Sequence, residues 1–138
     1  PDGGLERLNC VKINGMRGCH LSTDINDRYI FVSGYHDGKI TVLRLHEDGS
    51  VGEIVDEVYH KGLGSIAERN FRPHVSCTRT TPDGHFVMAA DLGIDQVKIY
   101  HFDSKDETLN LVDMISCSIN SAPRFFEFSQ DGKYLYLM

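Results

Sequence analysis

The sequence predicts an all-β chain, a β-propeller segment of four-stranded antiparallel blades with about two complete blades plus flanking strands. The first reason is a pattern that recurs nearly three times: Ile25-Asn26-Asp27-Arg28-Tyr29-Ile30-Phe31-Val32, Pro82-Asp83-Gly84-His85-Phe86-Val87-Met88-Ala89 and Gln130-Asp131-Gly132-Lys133-Tyr134-Leu135-Tyr136-Leu137. Each copy is a tight polar turn, a cation or histidine, an aromatic residue and an apolar strand. Asn26 and Asp83 lie 57 positions apart, and Asp83 and Asp131 lie 48 apart. Spacings near 40 to 50 residues with several strands per unit belong to radial arrays of blades. The third reason is alternation of apolar and β-branched residues with polar ones between the turns, which is the signature of half-buried strands.

The elements follow in order. A short strand at Cys19–Ser22 precedes the first turn, and Ser76–Thr80 precedes the second. After each turn comes the apolar strand of the repeat, and then Lys39–Leu45 in one unit and Gln96–Phe102 in the other, aligned without a gap. Polar breaks at 46–50 and 103–106 lead into weaker strands near Glu53–Tyr59 and Leu109–Ile115. Four strands per unit in meander order result, joined by turns rich in Asp and Gly. The expected units are 17–59 and 75–116, with a further blade starting over 123–138, all within one propeller domain spanning 1–138. Ile66–Phe71 is the only short helix candidate. A four-stranded unit is apolar on both faces and needs neighbours, and propellers have roughly four to eight blades. The last repeat stops inside its strand at Met138, so the chain is expected to be a piece of a longer protein. Remaining blades are then needed to close the ring.

Composition narrows the function classes. The 138 residues carry 14 Lys and Arg against 20 Asp and Glu, a formal charge of −6. No basic run offsets that balance, so a nucleic-acid partner is not expected. No apolar stretch approaches the roughly 18 residues of a membrane span, and no membrane partner is expected. Cys10, Cys19, Cys77 and Cys117 lack CxxC or zinc-ribbon spacing, which reads as buried free thiols in a reducing, cytoplasmic setting, with a disulfide pair as the alternative. Seven histidines form no i, i+2 or HExxH pattern, so no metal is expected. No phosphate-binding glycine loop or dinucleotide fingerprint occurs, and no cofactor is expected.

Candidate chemistry lies where the inner strands begin. The repeat aligns Cys19 with Ser76 and Arg124, and His20 with Cys77 and Phe125. Alternation is expected to send the two rows to opposite sides, so that one of them borders the central channel. Pro123 fixes the entry of the strand at Arg124; the plain alternative is a surface arginine paired with an acid. The long connector 60–74 holds Glu68, Arg69 and His74, candidates for a general base, an anion clamp and a hydrogen-bond donor. An ordinary solvated loop is the competing reading. His36 sits in the turn Tyr35-His36-Asp37-Gly38, where a histidine is most often only a turn residue.

The ordered succession of short motifs resembles a known family. Leu21-Ser22-Thr23-Asp24, Tyr29-Ile30-Phe31-Val32, Gly34-Tyr35-His36-Asp37-Gly38, Glu68-Arg69, Pro73-His74, Pro82-Asp83-Gly84, Asp91-Leu92-Gly93-Ile94-Asp95 and Pro123-Arg124-Phe125 are similar to the seven-bladed propeller lactonases, the family of bacterial-type 6-phosphogluconolactonase. A fungal carboxymuconate lactonising enzyme shares that fold. The resemblance implies hydrolysis of a sugar lactone, foremost 6-phosphogluconolactone to 6-phosphogluconate. The alternatives are a lactone-forming cycloisomerase of the carboxymuconate type and a non-catalytic binding platform. On the resemblance, Glu68, His74 and Arg124 are catalytic, Arg124 as the oxyanion or phosphate ligand, while His20, His36, Arg69 and Ser76 contact the substrate. The family's Pro-His-x-His segment keeps its first histidine as His74, but its second is Ser76 here. The base role then falls to His74, His36 or Glu68, or the activity is changed or lost.

Overall fold

The computed structural model describes residues 3–64 and 71–138. Ten strands run in chain order: β1 (His20–Thr23), β2 (Tyr29–Gly34), β3 (Lys39–Leu45), β4 (Val51–Tyr59), β5 (Val75–Thr80), β6 (Val87–Asp91), β7 (Gln96–Asp103), β8 (Thr108–Ser116), β9 (Phe126–Phe128) and β10 (Leu135–Leu137). They form two four-stranded antiparallel meanders, β1-β2-β3-β4 and β5-β6-β7-β8, and the two-stranded sheet β9-β10. The described residues contain no helix. The helix candidate at 66–71 falls almost wholly outside them, with only Phe71 described, in a bend.

The recurring turn works because one carboxylate caps the chain reversal each time. Asp24 Oδ1 accepts the Arg28 and Tyr29 amides at 2.6 and 2.8 Å. Asp83 Oδ1 takes the His85 amide at 3.0 Å, and Asp131 Oδ1 the Lys133 amide at 3.2 Å. These are local side-chain bonds of the Asx kind. Asp27, Gly84 and Gly132 hold the same place in the three turns, at φ of 51°, 73° and 70°. Glycine meets that demand in two copies and aspartate, which tolerates the left-handed region better than most residues, in the first.

Successive sheets stack face to face. Phe31, Ile40 and Val42 of the first sheet pack on Val75, Val87, Ala89 and Tyr100 of the second. The far face of the second sheet, with Cys77, Met88, Ala90 and Val97, receives Phe126 of the third. The repeat extends one step further. Gly18, Ile30, Val32 and Leu43 are the counterparts of Val75, Val87, Ala89 and Tyr100, and they line an open apolar groove with Val11 and Ile13. At the opposite end of the strands Arg44 pairs with Glu53 in its own sheet and with Glu107 of the next at 2.6 Å. Tyr29 donates its hydroxyl to the same Glu107 at 2.9 Å.

Candidate active site

Antiparallel meander order gathers one set of connections at one end of the sheets. The β2–β3 turn at 35–38, the two described ends of the 60–74 connector (60–64 and 71–74), the β6–β7 turn at 92–95 and the 117–125 connector all lie there. Gly38 lets two of them touch: a Cβ on it would sit 2.8 Å from the Pro73 carbonyl, and its φ is +63°. Gly93 permits a closer approach, since a Cβ there would fall 1.8 Å from the Arg72 carbonyl oxygen.

His74 is buried in this junction. Its ring stacks on Tyr35, with centroids 4.4 Å apart and planes 16° from parallel. Nδ1 lies 2.8 Å from the Tyr35 carbonyl oxygen. A carbonyl only accepts, so Nδ1 carries the proton, and in the neutral ring Nε2 holds the lone pair. His36 is half-buried beside it and meets the Tyr35 ring edge-on at 5.2 Å.

Behind His74 lies a carboxylate that the motif reading did not single out as a site residue. Asp91, at the end of β6, is fully buried. Its Oδ1 accepts the His74 amide at 2.7 Å and the Gly93 amide at 3.0 Å, and its Oδ2 faces His60 Nδ1 at 2.7 Å. Burial pulls the His60 pKa below its usual value, against the opposing pull of Asp91. Burial likewise lowers Lys98, with Asp91 acting in the opposite sense. The available signal was a carboxylate closing the apolar run Val87–Ala90, a place where an acid must find donors.

The second turn carboxylate holds the approach to Arg124. Asp95 accepts the Asn120 and Ala122 amides at 3.0 and 2.8 Å, fixing two residues with left-handed φ of 64° and 47°. Pro123 follows, and Arg124 N donates to the Met138 carbonyl at 2.6 Å. The exposed Arg124 guanidinium lies 5.6 Å from the Phe125 ring centroid.

Ser76 stands at the boundary between the second and third sheets, almost wholly buried. Its hydroxyl donates to the Arg124 carbonyl at 2.7 Å, with the Ala90 carbonyl at 3.4 Å. Cys19 repeats the arrangement one blade earlier, its thiol 3.4 Å from the Ser33 carbonyl and 3.7 Å from that of Ser76. The neighbouring row also faces the next inner strand: His20 Nε2 is 3.7 Å from Cys77 Sγ, and its Nδ1 accepts the Thr78 amide at 3.5 Å. Burial and then Arg79 depress the His20 pKa. The expected separation of the two rows to opposite sides is therefore corrected. In the second blade a register shift between Val75 and Cys77 breaks the alternation at Ser76; in the first, β1 pairs with β2 without a shift, and Cys19, just before β1, reaches the following inner strand as His20 does.

The structure thus brings His36 and His74 together around Tyr35, and places Ser76 against the main chain of Arg124. His20 packs between inner strands. Glu68 and Arg69 lie outside the described residues. Among the described residues, no group of three or more His, Cys, Asp or Glu is arranged to hold a metal. All four cysteines are free, but Cys10 and Cys19 are exposed and only Cys77 is buried, which corrects the expectation that the thiols are enclosed.

A family model described as lactonase, 7-bladed beta-propeller, matches residues 1–138. The chain belongs to this family. A 6-phosphogluconolactonase of Bacillus subtilis is 37% identical over 136 residues, which is 99% of this chain and 38% of that protein. A similar fold recurs in a solved protein from Lactobacillus plantarum, 29% identical with a TM-score of 0.83 over 94% of this chain and 37% of that one. It recurs again in a periplasmic gluconolactonase of Pseudomonas aeruginosa, 30% identical with a TM-score of 0.79 over 86% of this chain and 34% of that one. The chain spans about two fifths of the length of the curated relatives it matches.

Proposed function

We propose that the complete propeller containing these residues hydrolyses a sugar lactone, with 6-phosphogluconolactone as substrate and 6-phosphogluconate as product. The observation that carries this reading is His74, stacked on Tyr35 with Nδ1 pinned to a carbonyl so that Nε2 holds the lone pair. Arg124 leads into the inner strand β9 at the same end of the sheets. The Bacillus relative supplies the substrate class.

In this reading His74 Nε2 takes a proton from water as the water oxygen adds to the lactone carbonyl carbon. The carbonyl oxygen becomes an oxyanion beside the Arg124 guanidinium. The ring C–O bond then breaks, the proton returns from His74 to the departing alkoxide, and the open-chain acid leaves. Glu68 and Arg69 join the assignment on sequence alone, as a second base candidate and a clamp for the phosphate. His36 and His20 are proposed to border the substrate. Ser76 serves the site as a strut, since its hydroxyl proton is committed to the Arg124 carbonyl.

The apolar groove along Gly18, Ile30, Val32 and Leu43 supports the need for further blades, because its counterparts in the second sheet are covered. The four free thiols support a cytoplasmic location.

The test is turnover of 6-phosphogluconolactone by the complete propeller, after subtraction of spontaneous hydrolysis, beside its His74→Ala variant. Activity that falls at least 100-fold in the variant is expected. Equal rates in the two proteins remove His74 from the chemistry, and no turnover in the parent rejects the reading.

A further inference from the structure

Two buried side chains stand behind His74 without reaching the open end of the sheets. His60 and Asp91 are both completely enclosed and face each other at 2.7 Å. Asp91 spends its three acceptor contacts in three directions: the His60 ring, the His74 amide and the Gly93 amide. A buried carboxylate is tolerable when donors surround it, and this one has recruited the main chain on both sides of the site. The Gly93 tie holds the turn that packs against His74, for a Cβ on Gly93 would also come within 2.9 Å of the His74 ring. His60 is itself anchored: its amide donates to the Gly38 carbonyl at 2.8 Å, and Gly38 abuts Pro73. Its ring lies 6.0 Å from that of Tyr100. Among the described residues His60 Nε2 is buried without a hydrogen-bond partner, and Asp91 is the contact that fixes this ring's orientation.

We propose that Asp91 and His60 form a positioning pair for His74, holding its main chain so that the imidazole meets both Tyr35 and the substrate. The inference rests on the lactonase reading for its catalytic consequence. Neither residue touches the reacting atoms. They act through the His74 peptide, as an outer ligand acts through an inner one. Displacement by about 1 Å of a group that transfers a proton is enough to cost on the order of 100-fold in rate.

The test uses the complete propeller and three variants. His60→Phe removes the donor to Asp91 and keeps a ring. His60→Asn returns an N–H close to the position of Nδ1. Asp91→Asn keeps one oxygen for the two amides and places an amide NH₂ opposite His60. Rates on 6-phosphogluconolactone are read across pH, and the His74 ring is followed by NMR. In His60→Phe and Asp91→Asn, kcat should fall about 10- to 100-fold with KM nearly unchanged. The His74 ring signals and the acidic limb of the pH profile should shift together, and His60→Asn should recover most of the rate. Wild-type kcat and unchanged His74 signals in a folded His60→Phe overturn the pairing, and where that variant does not fold, the same result in Asp91→Asn does. A parent protein without lactone turnover rejects the lactonase reading alone, because the His74 signals in the variants still decide whether the pair positions the ring.

Discussion

Ser76 gives its hydroxyl hydrogen bond to the main-chain carbonyl of Arg124, 2.7 Å away on the next inner strand. Two residues expected to meet a substrate are thus joined through backbone, and one of them braces the other. Replacing Ser76 by Ala should leave the Arg124 carbonyl without this donor and cost about 1 kcal/mol. Chemical denaturation measures it. A stability equal to the parent's means that water replaces the hydroxyl and the brace has no weight.

Arg124 and Arg28 offer an internal control, because they lie at opposite ends of the sheets. In the complete propeller Arg124→Ala should lower lactone turnover by at least 10-fold, while Arg28→Ala, on a turn between β1 and β2, should change it little. Equal kinetics in the two variants would dispose of the anion site.

Gly93 is defined by contact rather than by an unusual φ. A methyl group there meets the Arg72 carbonyl oxygen at 1.8 Å, so Gly93→Ala must push the 72–74 segment away. Overpacking of this kind costs roughly 1 to 3 kcal/mol, and the displaced His74 should carry the loss into kcat. Thermal melting and turnover, measured on one preparation, check both. An unperturbed melt shows that the two segments separate freely.

Acid should destabilise the fold through His60. Its folded pKa lies below the unfolded value because burial disfavours the charged ring. The unfolded chain therefore binds more protons as pH drops below about 6.5, and stability falls from there down to the folded pKa. The slope approaches about 1.4 kcal/mol per pH unit for one full proton. His20, also depressed, adds in the same direction. Urea midpoints between pH 7 and 5 should decline more gently in His60→Asn than in the parent. Parallel curves assign the acid loss to other groups.

The strands were legible because two periodic signals agreed. Lys39–Leu45 alternates apolar and polar residues between two turn signatures, and β3 occupies that same span. β4 begins at Val51 rather than Glu53 and β8 at Thr108 rather than Leu109. Outer strands pair on one side with little burial, and their ends carry weak patterns. Sequence named His36 in a turn and His74 in the connector as separate candidates. It could not foresee that Tyr35 would stack between them, since that contact joins residues 39 positions apart through two loops. Asp91 and His60 stayed hidden for a related reason: each looks like an ordinary polar residue at a strand end until burial makes them partners. In the second blade the bulge between Val75 and Cys77 defeated the alternation argument, because one extra residue is invisible to a period of two.

The 57- and 48-residue spacings differ only in the connector that follows the fourth strand, since the strands and the other turns of the first two units superimpose without a gap. The carboxylate-capped turns at the opposite end accept no change of length, whereas the connector beside His74 already varies between neighbouring units. On the proposed reading, foldability and substrate choice are written into separate stretches of the chain. A lineage can lengthen, shorten or exchange the second without renegotiating the first, so a new preference among ring esters is open to descendants that keep every blade.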